Sequence, residues 1–392
     1  RLIFCLFTAL CLAGAAWGED TYWPQFRGPR GDGTSTSTGL PLRWSESQHI
    51  KWKTPIPGRA WASPVIWGPQ VWLSTASENG RELSVVCVDR DSGKVLRQQK
   101  LFDVERPQFA HKSNTYASPT PVLEEGRLYV SYGSPGLACV DTRTGEVRWE
   151  RRDFICNHYR GAGSSPILHG DLLIQNFDGS DRQCVLALDR DTGKELWHLD
   201  RESDAAKKFS FGTPLLITVN GKQQVISTGS DVVQACDPHT GKELWRVRYS
   251  GYSVVPRPVF AHGLLIIATG YDSPQVLAIR PDGTGDVTDT HVAWRLKAGA
   301  PNNPSPLVVG DDLYLVSDAG VASCVDVRTG EVRWKERLGG NFSASPIHAG
   351  GHIYFLDEEG TTTVLKRGLR FERVARNRLE ERTLASPAAG NG

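Results

Sequence analysis

The sequence contains no methionine, and its opposite charges almost cancel. With 45 Lys and Arg residues against 44 Asp and Glu residues, the formal net charge is +1 at pH 7. This balance removes the electrostatic basis for binding nucleic acid, so we expect no nucleic-acid partner. Neither Cys-x-x-Cys nor Gly-x-Ser-x-Gly occurs, so zinc-ribbon and serine-hydrolase chemistry have no motif to support them.

Long hydrophobic runs are also scarce, and the one at residues 2–18 is too short for a membrane span at this position. Small residues at Ala16 and Gly18 favour a signal peptide over residues 1–18, cleaved before Glu19; a retained anchor is the alternative. A lipoprotein signal is not expected, because neither Cys5 nor Cys11 follows a small residue. Without a starting Met, a charged segment is expected ahead of Arg1. We therefore expect an exported protein, periplasmic or extracellular, that is not integral to a membrane after cleavage.

Two markers recur along the chain. The first is a small residue followed by proline, which suits the start of a strand because proline has no N–H to donate. It occurs at Ala62-Ser63-Pro64, Ala117-Ser118-Pro119, Ser164-Ser165-Pro166, Gly212-Thr213-Pro214, Pro256-Arg257-Pro258, Pro304-Ser305-Pro306, Ala344-Ser345-Pro346 and Ala385-Ser386-Pro387. The second is Thr-Gly with a tryptophan four residues after the glycine, at Gly145/Trp149, Gly193/Trp197, Gly241/Trp245 and Gly330/Trp334. A shared period of about 40–45 residues is that of a four-stranded propeller blade.

The two ends of the repeat array are incomplete. Residues 49–54 resemble a lone fourth strand, since Trp52 matches the later tryptophans, and only five residues follow Pro387. We therefore predict an all-β, eight-bladed propeller of four-stranded antiparallel blades, with the last blade closed by the N-terminal strand. That blade would be incomplete over residues 49–392, and roughly 20–30 further residues are expected after Gly392. Residues 19–48 are predicted to be an extension packed on the propeller, with its aromatic side chains on the rim; a ligand role for these aromatic side chains is the alternative.

These features resemble the pyrroloquinoline-quinone (PQQ)-type repeat, through the Ser-Pro opener and the Cys/Ala-x-Asp-x-x-Thr-Gly-x-x-x-Trp ending. Residues 23–29, 114–119 and 161–166 further resemble a group of secreted bacterial PQQ-like propellers. The repeat family includes quinoprotein alcohol dehydrogenases and the propeller lipoprotein of the outer-membrane assembly machine. The dehydrogenases are implied to need calcium, an Asp base and usually a disulfide between adjacent cysteines. No two cysteines are adjacent here, so the resemblance weakens the prediction of a redox enzyme.

Candidate binding residues lie outside the repeat consensus, on the loops that lead into innermost strands. His111 and His158 stand shortly before openers, and convergent polar and aromatic groups in one concavity are what a small-molecule site requires. The alternative is that both are loop histidines bonded to backbone. The full set of funnel candidates is Arg59, Trp61, His111, Asn114, Tyr116, His158, Arg160, Tyr252, Asn302, Asn303 and Asn341. These types suit a polar, anionic or sugar-like ligand, and the absence of a carboxylate among them favours binding over turnover.

The sequence therefore predicts a binding or scaffolding module with an unidentified small-molecule or protein partner, acting as a monomer. No metal and no cofactor is expected. One alternative is a quinoprotein-like oxidoreductase, which would need PQQ with calcium, and another is an outer-membrane assembly scaffold that uses the exterior of the propeller. Residues 176–181 and 282–286 carry oxygen ligands that could hold calcium, but Asx-type turns explain them as well.

The cysteines beyond the predicted signal peptide are expected to be free thiols. Cys87, Cys139 and Cys324 each stand two residues before the Asp of a third strand. Blade three has Ala187 at the equivalent position. Such positions suit small buried residues, and equivalent positions on neighbouring blades are too far apart for a disulfide. The six residues concerned are Cys87, Cys139, Cys156, Cys184, Cys236 and Cys324.

Overall fold

The computed structural model describes residues 22–390, and the predicted signal peptide at residues 1–18 lies outside them. The described residues contain thirty β-strands and no helix, so no helix among them could cross a membrane. The strands form seven sheets, and each contains four antiparallel strands connected as a meander. The predicted all-β architecture of four-stranded antiparallel blades is confirmed.

The first three blades follow one another without interruption. Blade one consists of β2 (Val65–Trp67), β3 (Gln70–Ala76), β4 (Glu82–Asp89) and β5 (Val95–Asp103). Blade two consists of β6 (Val122–Glu124), β7 (Arg127–Ser131), β8 (Leu137–Asp141) and β9 (Val147–Arg151). Blade three consists of β10 (Ile167–His169), β11 (Leu172–Asp178), β12 (Gln183–Asp189) and β13 (Glu195–Asp200). A short strand ahead of them, β1 (Tyr22–Trp23), pairs with the inner edge of β2.

Blades four to seven repeat the pattern, with one insertion. Their strands are β14 (Leu215–Val219), β15 (Lys222–Gly229), β16 (Val232–Cys236) and β17 (Glu243–Arg248) in blade four, β18 (Val259–Ala261), β19 (Leu264–Ala268), β20 (Val276–Ile279) and β22 (Val292–Leu296) in blade five, β23 (Leu307–Val309), β24 (Asp312–Val316), β25 (Val321–Asp326) and β26 (Val332–Arg337) in blade six, and β27 (Ile347–Ala349), β28 (His352–Leu356), β29 (Thr361–Lys366) and β30 (Arg373–Arg378) in blade seven. The insertion, β21 (Gly285–Asp286), pairs in parallel with β17 of the preceding blade.

The residue before each opening proline joins neighbouring blades around the axis. The Ser63 N–H donates to Thr120 Oγ1 at 3.0 Å, and the Thr120 N–H donates to Ser165 Oγ at 2.9 Å. A hydroxyl is needed here because its oxygen accepts a backbone N–H that would otherwise be buried without a partner. We call this ring the hydroxyl belt, and its members are Ser63, Thr120, Ser165, Thr213, Ser305, Ser345 and Ser386.

The belt corrects the opener predicted for blade two. That strand begins at Val122, so Thr120-Pro121 opens it and Ala117-Ser118-Pro119 lies in the loop before it. Two hydroxyl-proline pairs stand in tandem there, and only the blade-to-blade hydrogen bonds distinguish them.

The Thr-Gly-x-x-x-Trp marker fastens the outer strands of neighbouring blades. The Trp149 indole N–H of blade two donates to the Arg190 carbonyl of blade three at 2.8 Å, and a Cβ added to Gly193 would lie 2.7 Å from the indole ring. Gly193 has φ of +69°, a conformation that favours glycine, so this position needs glycine for both reasons. Arg97 takes the tryptophan's place in blade one and donates to the Arg143 carbonyl at 3.2 Å.

Segments near both ends of the described chain repeat contacts seen between the seven blades. Trp52 lies over Gly93 and donates to the Arg90 carbonyl at 2.8 Å, as Trp149 and Trp197 do to carbonyls of the next blade. The Ser345 N–H donates to Ser386 Oγ at 2.9 Å, which continues the belt past blade seven. However, residues 49–54 form no β-strand, contrary to prediction, because no described strand lies beside them to complete a ladder. The eight-blade count stays a prediction.

Hydrogen exchange should reveal this missing ladder. Without ladder hydrogen bonds, the amides of residues 49–54 should exchange much faster than those of β7 and β12 in blades two and three. Mass-spectrometric exchange on the 392-residue protein would measure this difference. Protection of residues 49–54 equal to that of β12 would contradict the expectation.

All six cysteines in the described part of the chain are buried free thiols, as predicted. Burial raises the pKa of Cys87, Cys139 and Cys236 to about 12, so almost none of each is thiolate at pH 8. We therefore expect an aromatic disulfide reagent at pH 8 to titrate these thiols slowly in the native protein and rapidly in denaturant. A native mass lower by three disulfides than that of the reduced protein would refute this expectation.

Candidate functional site

A segment ahead of blade one closes one end of the propeller axis. We call residues 22–35 the axial plug. The Pro24 carbonyl accepts the Leu123 N–H of blade two at 2.7 Å, and the Ser35 N–H donates to the His348 carbonyl of blade seven at 2.8 Å. The plug therefore reaches blade two and blade seven, which lie on either side of blade one. Trp23 is only 1% exposed, so the expectation that these aromatic residues lie on the rim is wrong for this side chain.

Two buried arginines hold the plug in place. The Arg27 guanidinium donates to the Pro306 carbonyl at 2.8 Å and to the Pro346 carbonyl at 3.1 Å. Arg257, which replaces the belt hydroxyl in blade five, donates to the Phe26 carbonyl at 2.6 Å. Burial lowers the pKa of Arg27 to about 10 and that of Arg257 to about 9, so both remain charged at pH 7. The two guanidinium groups thus donate to the Pro306, Pro346 and Phe26 carbonyls, which accept no hydrogen bond within the belt.

Above the plug lies a cavity of about 180 Å³, which we call the axial cavity. Phe26 of the plug contributes to its lining, and belt hydroxyls surround it. Its lining also includes Trp61, His111, Asn114, Arg160, Phe211, Tyr271 and Asn303, all from loops outside the strands. No Asp or Glu side chain contributes to the lining. The cavity is therefore aromatic and hydroxyl-rich, with a basic group at its mouth.

Five of the eleven funnel candidates line this cavity, and they come from different blades. They are Trp61, His111, Asn114, Arg160 and Asn303. Asn114 is held in place by two hydrogen bonds, because its side-chain amide donates to the Arg160 carbonyl at 3.0 Å and to the Ala162 carbonyl at 3.1 Å. The other six candidates have structural contacts elsewhere.

His158 is one of these six and is buried beneath the loop. Its Nε2 accepts the Ser134 N–H at 3.0 Å, and its Nδ1 lies 3.8 Å from the Cys156 sulfur. Burial lowers the pKa of His158 to about 4, so the ring is neutral at pH 7. These contacts correspond to the alternative of a loop histidine bonded to backbone.

The remaining five candidates contact protein groups around the mouth. The Arg59 guanidinium lies 5.2 Å from the Trp61 ring, and Tyr116 covers Gly80. The Asn302 N–H donates to Asp318 Oδ2 at 2.7 Å. Two others complete the set: Tyr252 accepts a hydrogen bond from Lys207 at 2.9 Å, and the Asn341 carbonyl accepts the Glu358 N–H at 2.8 Å.

Several lining residues were not among the sequence candidates. Phe26 belongs to the plug, and a ligand role for the aromatic side chains of this segment was only the alternative expectation, since no local pattern indicates that residues before the first repeat reach the axis. Tyr271 follows the second strand of its blade, and a loop there opens on the same face as the loops before first strands. That topological rule could have identified Tyr271 from the sequence.

The electrostatics of the mouth are set by Arg160. Its guanidinium lies 5.9 Å from the Tyr159 ring and 5.6 Å from the Phe209 ring, and it forms no ion pair with any carboxylate of residues 22–390. Burial, with Arg160 and Lys112 nearby, lowers the pKa of His111, which is therefore mostly neutral at pH 7. The cavity lining thus carries one guanidinium charge and no opposing carboxylate.

No metal site is formed by residues 22–390, since no group of three or more His, Cys, Asp or Glu side chains could hold an ion. His348 and His352 are four residues apart but lie on the paired strands β27 and β28. A calcium–quinone group needs carboxylate ligands, and the axial cavity lining has none, so its residues do not fit that group.

A family model described as "Outer membrane protein assembly factor BamB" matches residues 81–279, 181–305 and 284–368. The BamB assembly factor of Shewanella oneidensis is 23% identical over 235 residues, covering 55% of this chain and 55% of that protein. This chain thus spans about half the length of that relative. A quinohemoprotein alcohol dehydrogenase from Comamonas testosteroni is 28% identical over 140 residues, covering 32% of this chain and 19% of that protein.

A solved structure shares the fold. The crystal structure of BamB from Moraxella catarrhalis aligns with a TM-score of 0.57 and 15% sequence identity, covering 83% of this chain and 90% of that one. At this identity the likeness concerns the fold alone.

Proposed function

We propose, from the premise that this chain belongs to the propeller family described as outer membrane protein assembly factor BamB, that it is an exported binding module whose axial cavity holds a small anionic ligand. In this proposal the protein is a monomer that binds its ligand without chemical turnover. Its support comes from the site rather than from the fold, because one fold hosts many functions.

One observation carries this proposal: a guanidinium lines a concave cavity that has no carboxylate in its lining. Two arginines on the blades, in contrast, pair with carboxylates: Arg201 with Asp178 and Arg333 with Asp326. An arginine fork without a protein anion is suited to a carboxylate, sulfate or phosphate group of a ligand. The aromatic and hydroxyl lining would hold the rest of a polar molecule.

A scaffold in outer-membrane protein assembly is the second candidate, favoured by the family match over residues 81–368. It would use the exterior of the blades, so it does not exclude a ligand in the cavity. An oxidoreductase is less well supported, because the cavity lining offers no carboxylate to act as a base or to bind calcium.

Calorimetric titration with galacturonate and citrate tests the binding proposal. We expect at least one of these anions to bind, and Arg160→Ala to weaken that binding by about tenfold or more, since a hydrogen bond to a charged group contributes about 1.5–3 kcal/mol. Arg376→Ala is a matched control, because Arg376 is an exposed arginine on β30. Failure of both anions to bind, or equal affinities for the wild type and Arg160→Ala, would contradict the proposal.

A further inference from the structure

We propose that the ligand is an anionic oligosaccharide, whose acidic group pairs with Arg160 and whose neighbouring sugar rings stack on aromatic side chains outside the cavity. This inference rests on the proposed function and specifies its ligand class. The stacking surface consists of Tyr159, Tyr252 and Tyr271, with the buried Phe209 packed against Tyr159 and Tyr252, and we call these four rings the aromatic rim.

The aromatic rim is a continuous row of rings contributed by three blades. Tyr159 stacks on Phe209 with centroids 4.6 Å apart and planes at 24°. Phe209 meets the edge of Tyr252 at 5.7 Å, and Tyr252 lies 6.3 Å from Tyr271. Tyr271 and Arg160 both line the axial cavity, so the row begins where the cavity ends.

The rim is supported from below and open above. Phe209 is only 4% exposed, whereas Tyr159 is 51% exposed and Tyr271 is 38% exposed. Contiguous exposed aromatic surface on a soluble protein commonly marks a binding site. Tyr159 has φ of +61°, which is an outlier for a bulky residue. Such strain is common where the surrounding structure holds a side chain in a functional position.

The charges on the rim favour an anion. Arg160 lies over Phe209 at one end, and the Lys207 ammonium lies 4.1 Å from the Tyr252 centroid at the other. Lys207 is paired with Asp272, which lies 3.8 Å away and accepts a hydrogen bond from Tyr252. A second carboxylate, Asp318, accepts a hydrogen bond from Asn303 beside Tyr271. Arg160 is therefore the cation of this row that has no carboxylate partner among residues 22–390.

A sugar chain matches this combination of groups. The C–H groups on the faces of a sugar ring pack on aromatic faces, while the hydroxyls at the edge of the sugar ring hydrogen-bond to polar side chains. Tyrosine suits both contacts, because it has an apolar ring and a polar hydroxyl. A uronate carboxylate or a sulfate ester supplies the planar or tetrahedral anion that an arginine fork binds. Single-stranded nucleic acid also stacks on aromatic rings, but its binding requires a track of cations along the backbone, and only two are present here.

Titration of the full chain with saccharides of different length tests the inference. The probes are galacturonate, tetragalacturonate, a sulfated galactan tetrasaccharide and neutral cellotetraose, with hexathymidylate as the nucleic-acid arm. We expect the acidic tetrasaccharides to bind about tenfold more tightly than galacturonate and cellotetraose, since each stacked ring adds stabilisation. The carboxylated and sulfated probes show which acidic group is preferred.

Variants separate the rim from the cavity. Tyr159→Ala combined with Tyr252→Ala should remove the length advantage but leave galacturonate binding unchanged, because neither ring lines the axial cavity, whereas Arg160→Ala should weaken every anionic probe. Tyr22→Ala is the control, because Tyr22 pairs with Trp67 at the far end of β2 from the lead-in loop. Affinity independent of chain length, or tighter binding of hexathymidylate, would overturn the inference and leave the proposed function standing. Failure of every anion to bind would overturn both.

Discussion

Replacing Arg201 with alanine should destabilise the propeller by about 3–5 kcal/mol, because it leaves the Asp178 carboxylate buried without its partner. The Arg201 guanidinium donates to both carboxylate oxygens, at 2.6 and 3.0 Å, and both side chains are 1% exposed. It also donates to the Ser227 hydroxyl at 2.5 Å and to the Ser227 carbonyl at 3.2 Å, so it joins blade three to blade four.

Urea denaturation followed by tryptophan fluorescence would measure this change. Lys51→Ala is the control, since its ion pair with Asp91 is exposed and should contribute less than about 1 kcal/mol. The double variant Arg201→Met and Asp178→Leu should recover most of the lost stability, because it removes both charges and retains volume. A loss below about 1 kcal/mol for Arg201→Ala would show that the pair does not hold the two blades together.

Acidification should destabilise the protein through His158. Its folded-state pKa of about 4 lies below its ordinary value of 6.5, because burial disfavours the charged ring and the Asp181 carboxylate only partly offsets this. Between pH 6.5 and 4 the unfolded state therefore binds a proton that the folded state does not. The stability contribution is complete above pH 6.5 and decreases as the pH falls, by about 3 kcal/mol in total.

The comparison of interest is between the wild type and His158→Gln, whose amide oxygen can still accept the Ser134 N–H. Unfolding free energies at pH 7, 5.5 and 4.5 should fall less steeply for His158→Gln, because glutamine does not titrate. His198→Gln provides the control, since His198 is half exposed and bonded to Glu195. Parallel pH profiles for the wild type and His158→Gln would contradict the expectation.

The repeat markers alone were sufficient to predict the all-β blade architecture. Each marker residue meets a local requirement of the blade. The proline of the opener has no N–H, the glycine of the ending adopts a positive φ, and the tryptophan ring covers that glycine. Gly193 and Trp149 show that these requirements are also contacts between blades, so the same residues specify the blade and its neighbour. The burial of Cys87, Cys139 and Cys324 was predicted from their shared position in the third strand of a blade, which is likewise a local feature of the repeat.

The site was less accessible to sequence reasoning. Being on a lead-in loop predicted the face on which a residue lies but not the direction of its side chain. His111 lines the cavity, whereas His158 turns inward to accept the Ser134 N–H, although both precede an opener. Tyr252 likewise lies outside the cavity lining, next to Lys207.

The sequence by itself determined the strand content, the blade period and the near-neutral charge of this protein, because each depends on local residue types. The tertiary structure alone decided that residues 22–35 cross the axis, that Thr120 rather than Ser118 belongs to the belt, and that Asp178 pairs with Arg201. These features join residues from different blades. The residue pattern of a single repeat does not predict such contacts, because they form only when the ring of blades brings distant loops together.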